Sequence, residues 1–242
     1  MKIEMGESLM QSWLKHIKGC EFSQLNWKPS EVWKTKQNDF KDIYIGVKGI
    51  YEKINNKDFF NTLNLKEITD KKIFGGSSKK QENKDTKESD DSTFEQIIKQ
   101  AEIDVLGYNF QENKLYAIDI AFHEAGLLYG KDTVLKVMQK ILRSALILKL
   151  YFPEVLNYEI IFASPKIGPT IFKKLTEKFK TLNNNKDIFE MKDVSKLEFK
   201  LYGNETFKDE IFKKLVSDEN LGKIADTSEL FVRSMQLSKL CS

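Results

Sequence analysis

Two short runs of strand-forming residues around a polar turn, within residues 102–124, constrain the fold more than any other part of this chain. Both runs are rich in β-branched and aromatic residues, and polar residues 111–113 separate them, which is the pattern of a β-hairpin. The first run contains Asp104 and the second contains Asp119. A connection of two or four residues would place both acids on one face, at a cross-strand spacing of about 4.5–8 Å.

Two carboxylates at that spacing repel each other unless a shared cation or a proton offsets their charge. Ligation by oxygen atoms alone suits a hard divalent ion such as Mg²⁺. The small side chains of Ala117 and Ala121 flank Asp119 on its face of the strand, which leaves room for an ion and a substrate. The hairpin therefore predicts a cation site at Asp104 and Asp119.

The pattern after the hairpin predicts an α/β fold with a mixed central sheet. A helix over residues 131–152 leads to an apolar strand over residues 159–164, and a helical crossover joins strands that pair in parallel. Further predicted elements are helices over 6–18, about 39–55, 168–181, 205–216 and 227–240, and strands over 21–27 and 197–202. The last strand and helices form a C-terminal α/β elaboration.

Residues 94–165, together with the first helix, resemble the core of the PD-(D/E)XK, or restriction-endonuclease-like, nuclease superfamily. In that family one acid lies on a first strand, a second acid and a lysine two residues later lie on the next strand, and a glutamate often comes from a preceding helix. The matching residues are Asp104, Asp119 and Glu7, while Ala121 occupies the lysine position. The resemblance implies one restriction-endonuclease-like domain over the whole chain.

The function that the resemblance implies is Mg²⁺- or Mn²⁺-dependent hydrolysis of phosphodiester bonds in nucleic acid, with DNA as the expected substrate. Because Ala121 carries no charge, the catalytic lysine must come from elsewhere, and some family members supply it from the helix after the second acid. Lys136 and Lys140 lie on a polar stripe of that helix and are the two candidates. A solvated helix face is the alternative interpretation of the stripe.

Three further side chains are candidates for the site. Glu7 lies at the edge of the apolar stripe of the first helix and can reach inward as a metal ligand, although an acid is also favourable at any helix N-terminus. His123 can contact a phosphate or assist a water, and Glu124 can bind the metal or hold the displaced lysine. The alternative is that His123 packs at the end of the sheet and Glu124 binds backbone amides.

Charge and composition are compatible with this function. Residues 94–130 carry six acids and two lysines, while residues 131–242 carry 20 basic and 15 acidic residues, so an acidic cluster lies in a basic surround. A lysine-rich solvated surface explains the same numbers.

The chain has no apolar run near the roughly 20 residues of a membrane span, no signal-peptide pattern, and two cysteines without metal or disulfide spacing. We expect a cytoplasmic protein without a membrane partner, and a homodimer would let it cut both strands of a duplex.

The missing strand lysine leaves two alternatives open. In the first, the domain is a nuclease-like scaffold that has lost catalysis and binds nucleic acid or a partner protein. In the second, it is an unrelated metal hydrolase or a structural module, in which the two aspartates only pair with neighbouring lysines or arginines.

Residues 75–92 contain no apolar side chain, which predicts a flexible polar loop within the domain. Because such a segment contributes no apolar surface to the core, replacing it with a short Gly/Ser linker should change the melting temperature by no more than a few degrees. Thermal unfolding of the two proteins in parallel measures the difference. A large loss of stability would show that the segment packs against the domain.

Overall fold

The structure is a computed structural model. It describes residues 2–29, 102–122, 126–127, 132–186, 196–217, 231–232 and 234–235. The predictions for residues 39–55 and 75–92, for His123 and Glu124, and for most of residues 227–240 lie outside these ranges. Among the described helices, none is long and apolar enough to cross a membrane.

A five-stranded mixed sheet forms the centre of the described fold. Its strands lie in chain order and are β1 (Phe22–Trp27), β2 (Ile103–Asn109), β3 (Lys114–Ile120), β4 (Asn157–Ser164) and β5 (Lys196–Gly203). Strand β2 is antiparallel to both of its neighbours, β1 and β3, whereas β3, β4 and β5 are parallel. This arrangement confirms the predicted α/β class and the mixed sheet.

Helices cover both faces of the sheet. Helix α1 (Lys2–His16) precedes β1, α2 (Thr133–Tyr151) connects β3 to β4, and α3 (Pro169–Asn184) connects β4 to β5. After β5 the chain forms α4 (Glu205–Phe207), a π-helical segment (Lys208–Phe212) and α5 (Lys213–Val216). Helical crossovers allow β3, β4 and β5 to run in the same direction, as expected for βαβ units.

Two separate apolar cores lie on opposite faces of the sheet. One contains side chains of α2 and α3 together with Leu115, Ala117, Ile160 and Phe162. The other contains Leu9, Met10 and Trp13 of α1, side chains of residues 207–215, and Tyr116, Ile118 and Ile161. Side chains alternate between the faces along β3, as in a strand buried on both sides. Asp119 therefore shares the α2 and α3 face with Ala117.

Loops at the carboxyl ends of β3 and β4 approach each other closely. The backbone N–H of Leu127 donates to the carbonyl of Lys166 at 2.9 Å. Gly126 permits this approach: its φ is 88°, and a Cβ there would lie 3.2 Å from the same carbonyl oxygen. The ends of β3 and β4, and thus Asp119 and the start of α3, lie at one edge of the sheet.

Candidate active site

Asp104 and Asp119 lie directly opposite each other on β2 and β3. The hairpin connection has four residues, and the pairing of Val105 with Ile118 continues by one step to these two acids. Asp119 is 1% exposed, whereas the Asp104 side chain is 17% exposed. Asp104 is also anchored to the opposite strand, because its Oδ2 accepts a hydrogen bond from the Ile120 N–H at 2.8 Å. One acid is therefore buried and the other is reached by solvent.

Two side chains of α2 approach the pair from above the sheet. Lys140 Nζ lies 3.2 Å from Asp119 Oδ1 and 3.9 Å from Asp104 Oδ2. Ser144 Oγ donates a hydrogen bond to Asp119 Oδ2 at 2.9 Å. The two residues are four positions apart and so occupy the same side of the helix. Asp119 is thus held at both carboxylate oxygens, and Lys140 is shared between the acids.

Electrostatics in the pair favour the protonated form of Asp104. Burial, followed by the negative charge of Asp119, raises the pKa of Asp104 to about 6, even though Lys140 and the Ile120 N–H act in the opposite direction. The single lysine does not fully offset the repulsion between the two acids. A second positive charge at this position would lower the free energy of the ionised pair.

Glu7 of α1 is 5% exposed and belongs to the neighbourhood of the pair. Its Oε2 accepts a hydrogen bond from Asn26 Nδ2 at 3.1 Å. Asn26 is next to Asp104 in the sheet, since its neighbours Leu25 and Trp27 pair with Val105 and Ile103. The φ of Asn26 is 49°, a left-handed conformation that Asn tolerates better than most residues. The negative charge of Glu7 also contributes to the raised pKa of Asp104.

The structure brings three of the predicted site residues together. Asp104, Asp119 and Lys140 are in contact, and Glu7 is buried close to them. Lys136, one turn before Lys140, is exposed on α2. His123 and Glu124 follow β3 outside the described residues. Ala117 and Ala121 are buried in the core beneath α2, so the open side of the site is at Asp104 rather than along β3.

Two contributors were missed from the sequence. Ser144 is four residues after Lys140, so its position on the lysine's face of α2 was a usable signal. Asn26 gave no such signal. Its contact with Glu7 depends on the local left-handed backbone and on the packing of α1 against β1.

A buried acid elsewhere in the sheet has a different charge balance. Glu159 on β4 is fully buried, and its Oε2 lies 2.6 Å from Lys114 Nζ and 3.3 Å from Lys200 Nζ. Lys200 is also 3.5 Å from the half-exposed Glu198, so two acids are matched by two lysines. At the aspartate pair, two acids contact one lysine among the described residues. Of these two clusters of described residues, the aspartate pair is the one with an excess of acid.

The donor chemistry of the pair fits one hard divalent ion. In the described part of the chain, no group of three or more His, Cys, Asp or Glu side chains is arranged to hold a metal. Mg²⁺, however, is commonly bound by one or two carboxylates and completes its shell with water and substrate phosphate oxygens. Asp104 and Asp119 supply such a pair. Glu7 is the nearest additional described carboxylate that the sequence predicted.

Comparison of the chain with protein-family models, curated proteins and solved structures finds no match. Function is therefore inferred from the site itself.

Proposed function

We propose that this protein is a divalent-metal-dependent nuclease that hydrolyses phosphodiester bonds in nucleic acid, with DNA as the substrate. One observation supports this most directly: two opposed carboxylates share a single lysine, and burial together with the charge of Asp119 raises the pKa of Asp104. Such a pair is suited to a second cation. The order of helix, antiparallel strands, crossover helix and parallel strand also supports a restriction-endonuclease-like core.

Asp104 and Asp119 would hold the ion, and Glu7 would act through Asn26 to keep the β1 side of the site in position. When bound, a divalent cation lowers the pKa of a coordinated water and neutralises charge on a phosphate. Ser144 and Lys140 fix the Asp119 carboxylate before the ion arrives, so little reorganisation is needed. The site is thus preorganised on two strands and one helix.

Lys140 has the role that a strand lysine has in the family. Its side chain is 31% exposed, so the same side chain contacts the acids and faces solvent. In that position Nζ can donate to the attacking water or to the phosphate oxygen on which charge grows. Asp104 is the more exposed of the two acids, so its carboxylate faces the solvent from which the attacking water comes.

A catalytically inactive scaffold is the second candidate, and the observation that favours it is the contact of Lys140 with both acids. In that alternative the lysine permanently occupies the cation position, the site has no catalytic role, and the domain only binds nucleic acid or a partner protein. The two functions differ in whether a divalent ion can enter.

Nicking of supercoiled plasmid and cleavage of labelled RNA, each in Mg²⁺ and in Mn²⁺, test the proposal. We expect metal-dependent cleavage of DNA by the wild type and none by Asp119→Asn, because the buried ligand is lost while its volume is kept. Addition of excess EDTA should stop the reaction. Absence of metal-dependent cleavage by the wild type on every nucleic acid would favour the scaffold.

A further inference from the structure

The outer face of α3 carries an unbalanced positive charge. Residues 166–186 contain six lysines and one acid, Glu177. Lys173, Lys174 and Lys180 are exposed, and none of the three forms an ion pair with a described residue. At 100° per residue they fall within an arc of about 120°, opposite the buried Leu175, Phe179 and Leu182. The arc is therefore a solvent-facing cationic surface, which we call the α3 lysine face, defined by Lys173, Lys174 and Lys180.

A comparison within the molecule shows that this imbalance is local. Residues 205–216 also carry three exposed lysines, Lys208, Lys213 and Lys214, but each forms an ion pair with an acid of its own segment at 2.5–3.6 Å. That segment belongs to the core on the other side of the sheet from α2 and α3. Lysine content alone therefore does not create the α3 lysine face.

The α3 lysine face lies on the same side of the sheet as the aspartate pair. Both α2, which carries Lys140, and α3 pack on the core that contains Ala117. Helix α3 begins at Pro169, close after the loop in which Lys166 meets Leu127 at the edge that bears Asp119. Lys173 is in the first turns of α3, and Lys180 is about 10 Å further along its axis. A polyanion lying along α3 would thus pass the edge of the site.

The chemistry of the face indicates which polyanion it suits. None of the exposed large apolar side chains, Phe22, Phe110, Leu156 and Phe212, belongs to α3, so the face offers no platform for stacking unpaired bases. The hydroxyls of Thr176 and Thr181 already donate to carbonyls of their own helix at 2.9 Å, so the donors that the face presents to a ligand are its lysines. What remains is point charge directed at phosphates.

We propose that the α3 lysine face binds the phosphate backbone of duplex DNA and positions it for the aspartate pair. This inference rests on the proposed nuclease function and extends it by naming the surface that binds the substrate. Because the contact is electrostatic, it contributes to affinity and not to the chemical step.

The experiment uses the full chain and a fluorescein-labelled DNA duplex in EDTA, so that binding is measured without cleavage. The α3 variant is the triple substitution Lys173→Gln/Lys174→Gln/Lys180→Gln. It should bind the duplex at least about 10-fold more weakly than wild type near 0.1 M salt. Its binding should also release up to about three fewer counterions, so its affinity should fall less steeply with salt concentration. The matched control is Lys208→Gln/Lys213→Gln/Lys214→Gln, which removes the same charge and should bind within about twofold of wild type. Glu177→Gln, inside the arc, should instead increase affinity by about threefold.

Several outcomes would overturn the assignment. These are equal weakening by both triple variants, no weakening by the α3 variant, tighter binding of duplex RNA or single strands than of duplex DNA, or no DNA binding by the wild type. Melting curves of each variant separate lost binding from lost folding.

The cleavage assay separates this inference from the proposed function. In Mg²⁺, the α3 variant should need at least about 10-fold more DNA than wild type to reach half of its own maximal cleavage rate. DNA binding that depends on the α3 lysines, without any cleavage, would support the α3 lysine face as the DNA-binding surface and contradict the proposed nuclease activity. Cleavage with binding independent of α3 would support the nuclease and contradict the surface.

Discussion

Asp104→Asn should stabilise the metal-free protein near neutral pH and at the same time abolish its binding of Mn²⁺. Burial and the charge of Asp119 raise the pKa of Asp104 from 3.8 to about 6, so ionising this side chain is more costly in the folded protein than in the unfolded chain. The difference of roughly 2 pKa units corresponds to about 3 kcal/mol of unfolding free energy. Asparagine keeps the acceptor for the Ile120 N–H and removes the charge.

The effect has a defined pH dependence. Below about pH 4 the Asp104 carboxyl is protonated in both states, and wild type and variant should have similar stability. As the pH rises from about 4 to about 6, the unfolded chain releases the Asp104 proton while the folded wild type retains it, so the wild type loses stability and the variant does not. Above about pH 6 the difference between the two proteins should be constant. Urea unfolding at about pH 4 and pH 7.5 measures the divergence. A difference between the two proteins that is independent of pH would contradict the assigned cause.

Calorimetric titration with Mn²⁺ completes the test. Wild type should bind the ion and be stabilised by it, because a ligand that binds only the folded state adds to the unfolding free energy. Asp104→Asn and Asp119→Asn should each lose both effects, since each removes one of the two carboxylates. Unaltered affinity in either variant would reject the pair as the metal site.

Lys140→Ala should reduce the turnover of nucleic acid cleavage by at least about 10²-fold, the usual scale for one lost electrostatic contact in the transition state. The reason is that Ala121 supplies no charge, whereas Lys140 places its ammonium nitrogen Nζ 3.2 Å from Asp119 Oδ1. Mn²⁺ binding should be retained or strengthened, because the variant also removes a cation that competes for the two carboxylates. The assay is single-turnover cleavage at saturating protein, with calorimetry in parallel.

Lys136→Ala is the matched control. It removes the same kind of side chain one turn earlier on α2, from an exposed position. Turnover should stay within a few-fold of wild type, with any effect confined to salt-dependent substrate binding. Equal losses in both variants would indicate general phosphate anchoring by α2, and full activity in Lys140→Ala would contradict its assigned role.

Much of the fold was predictable because the signals are local. Strand β4 and the crossover helix α2 were expected at nearly their observed bounds, since a short apolar run ended by Pro165 and a long apolar stripe ended by Pro153 are properties of adjacent residues. The face shared by Asp104 and Asp119 was also predictable, because a hairpin connection with an even number of residues places both acids on the same face of the sheet. Helix α1 begins earlier than expected, at Lys2, and helix ends carry the weakest sequence signals.

Features that depend on distant partners were not predictable in the same way. Residues 205–216 were expected to be a regular helix, yet residues 208–212 form a π-helical segment, where Trp13 Nε1 donates to the carbonyl of Glu210 at 2.9 Å. The partner is 197 positions away in the chain. No pattern within residues 205–216 contains that information.

The sequence by itself determined the α/β class, the hairpin and the presence of two acids on one of its faces, because periodicity and turn composition act over a few residues. The tertiary structure alone decided how α2 is rotated on the sheet, which brings Lys140 and Ser144 to the acids and leaves Lys136 in solvent. It likewise decided that Asn26 reaches Glu7. Both outcomes follow from side-chain packing between elements far apart in the chain, which a one-dimensional pattern does not encode.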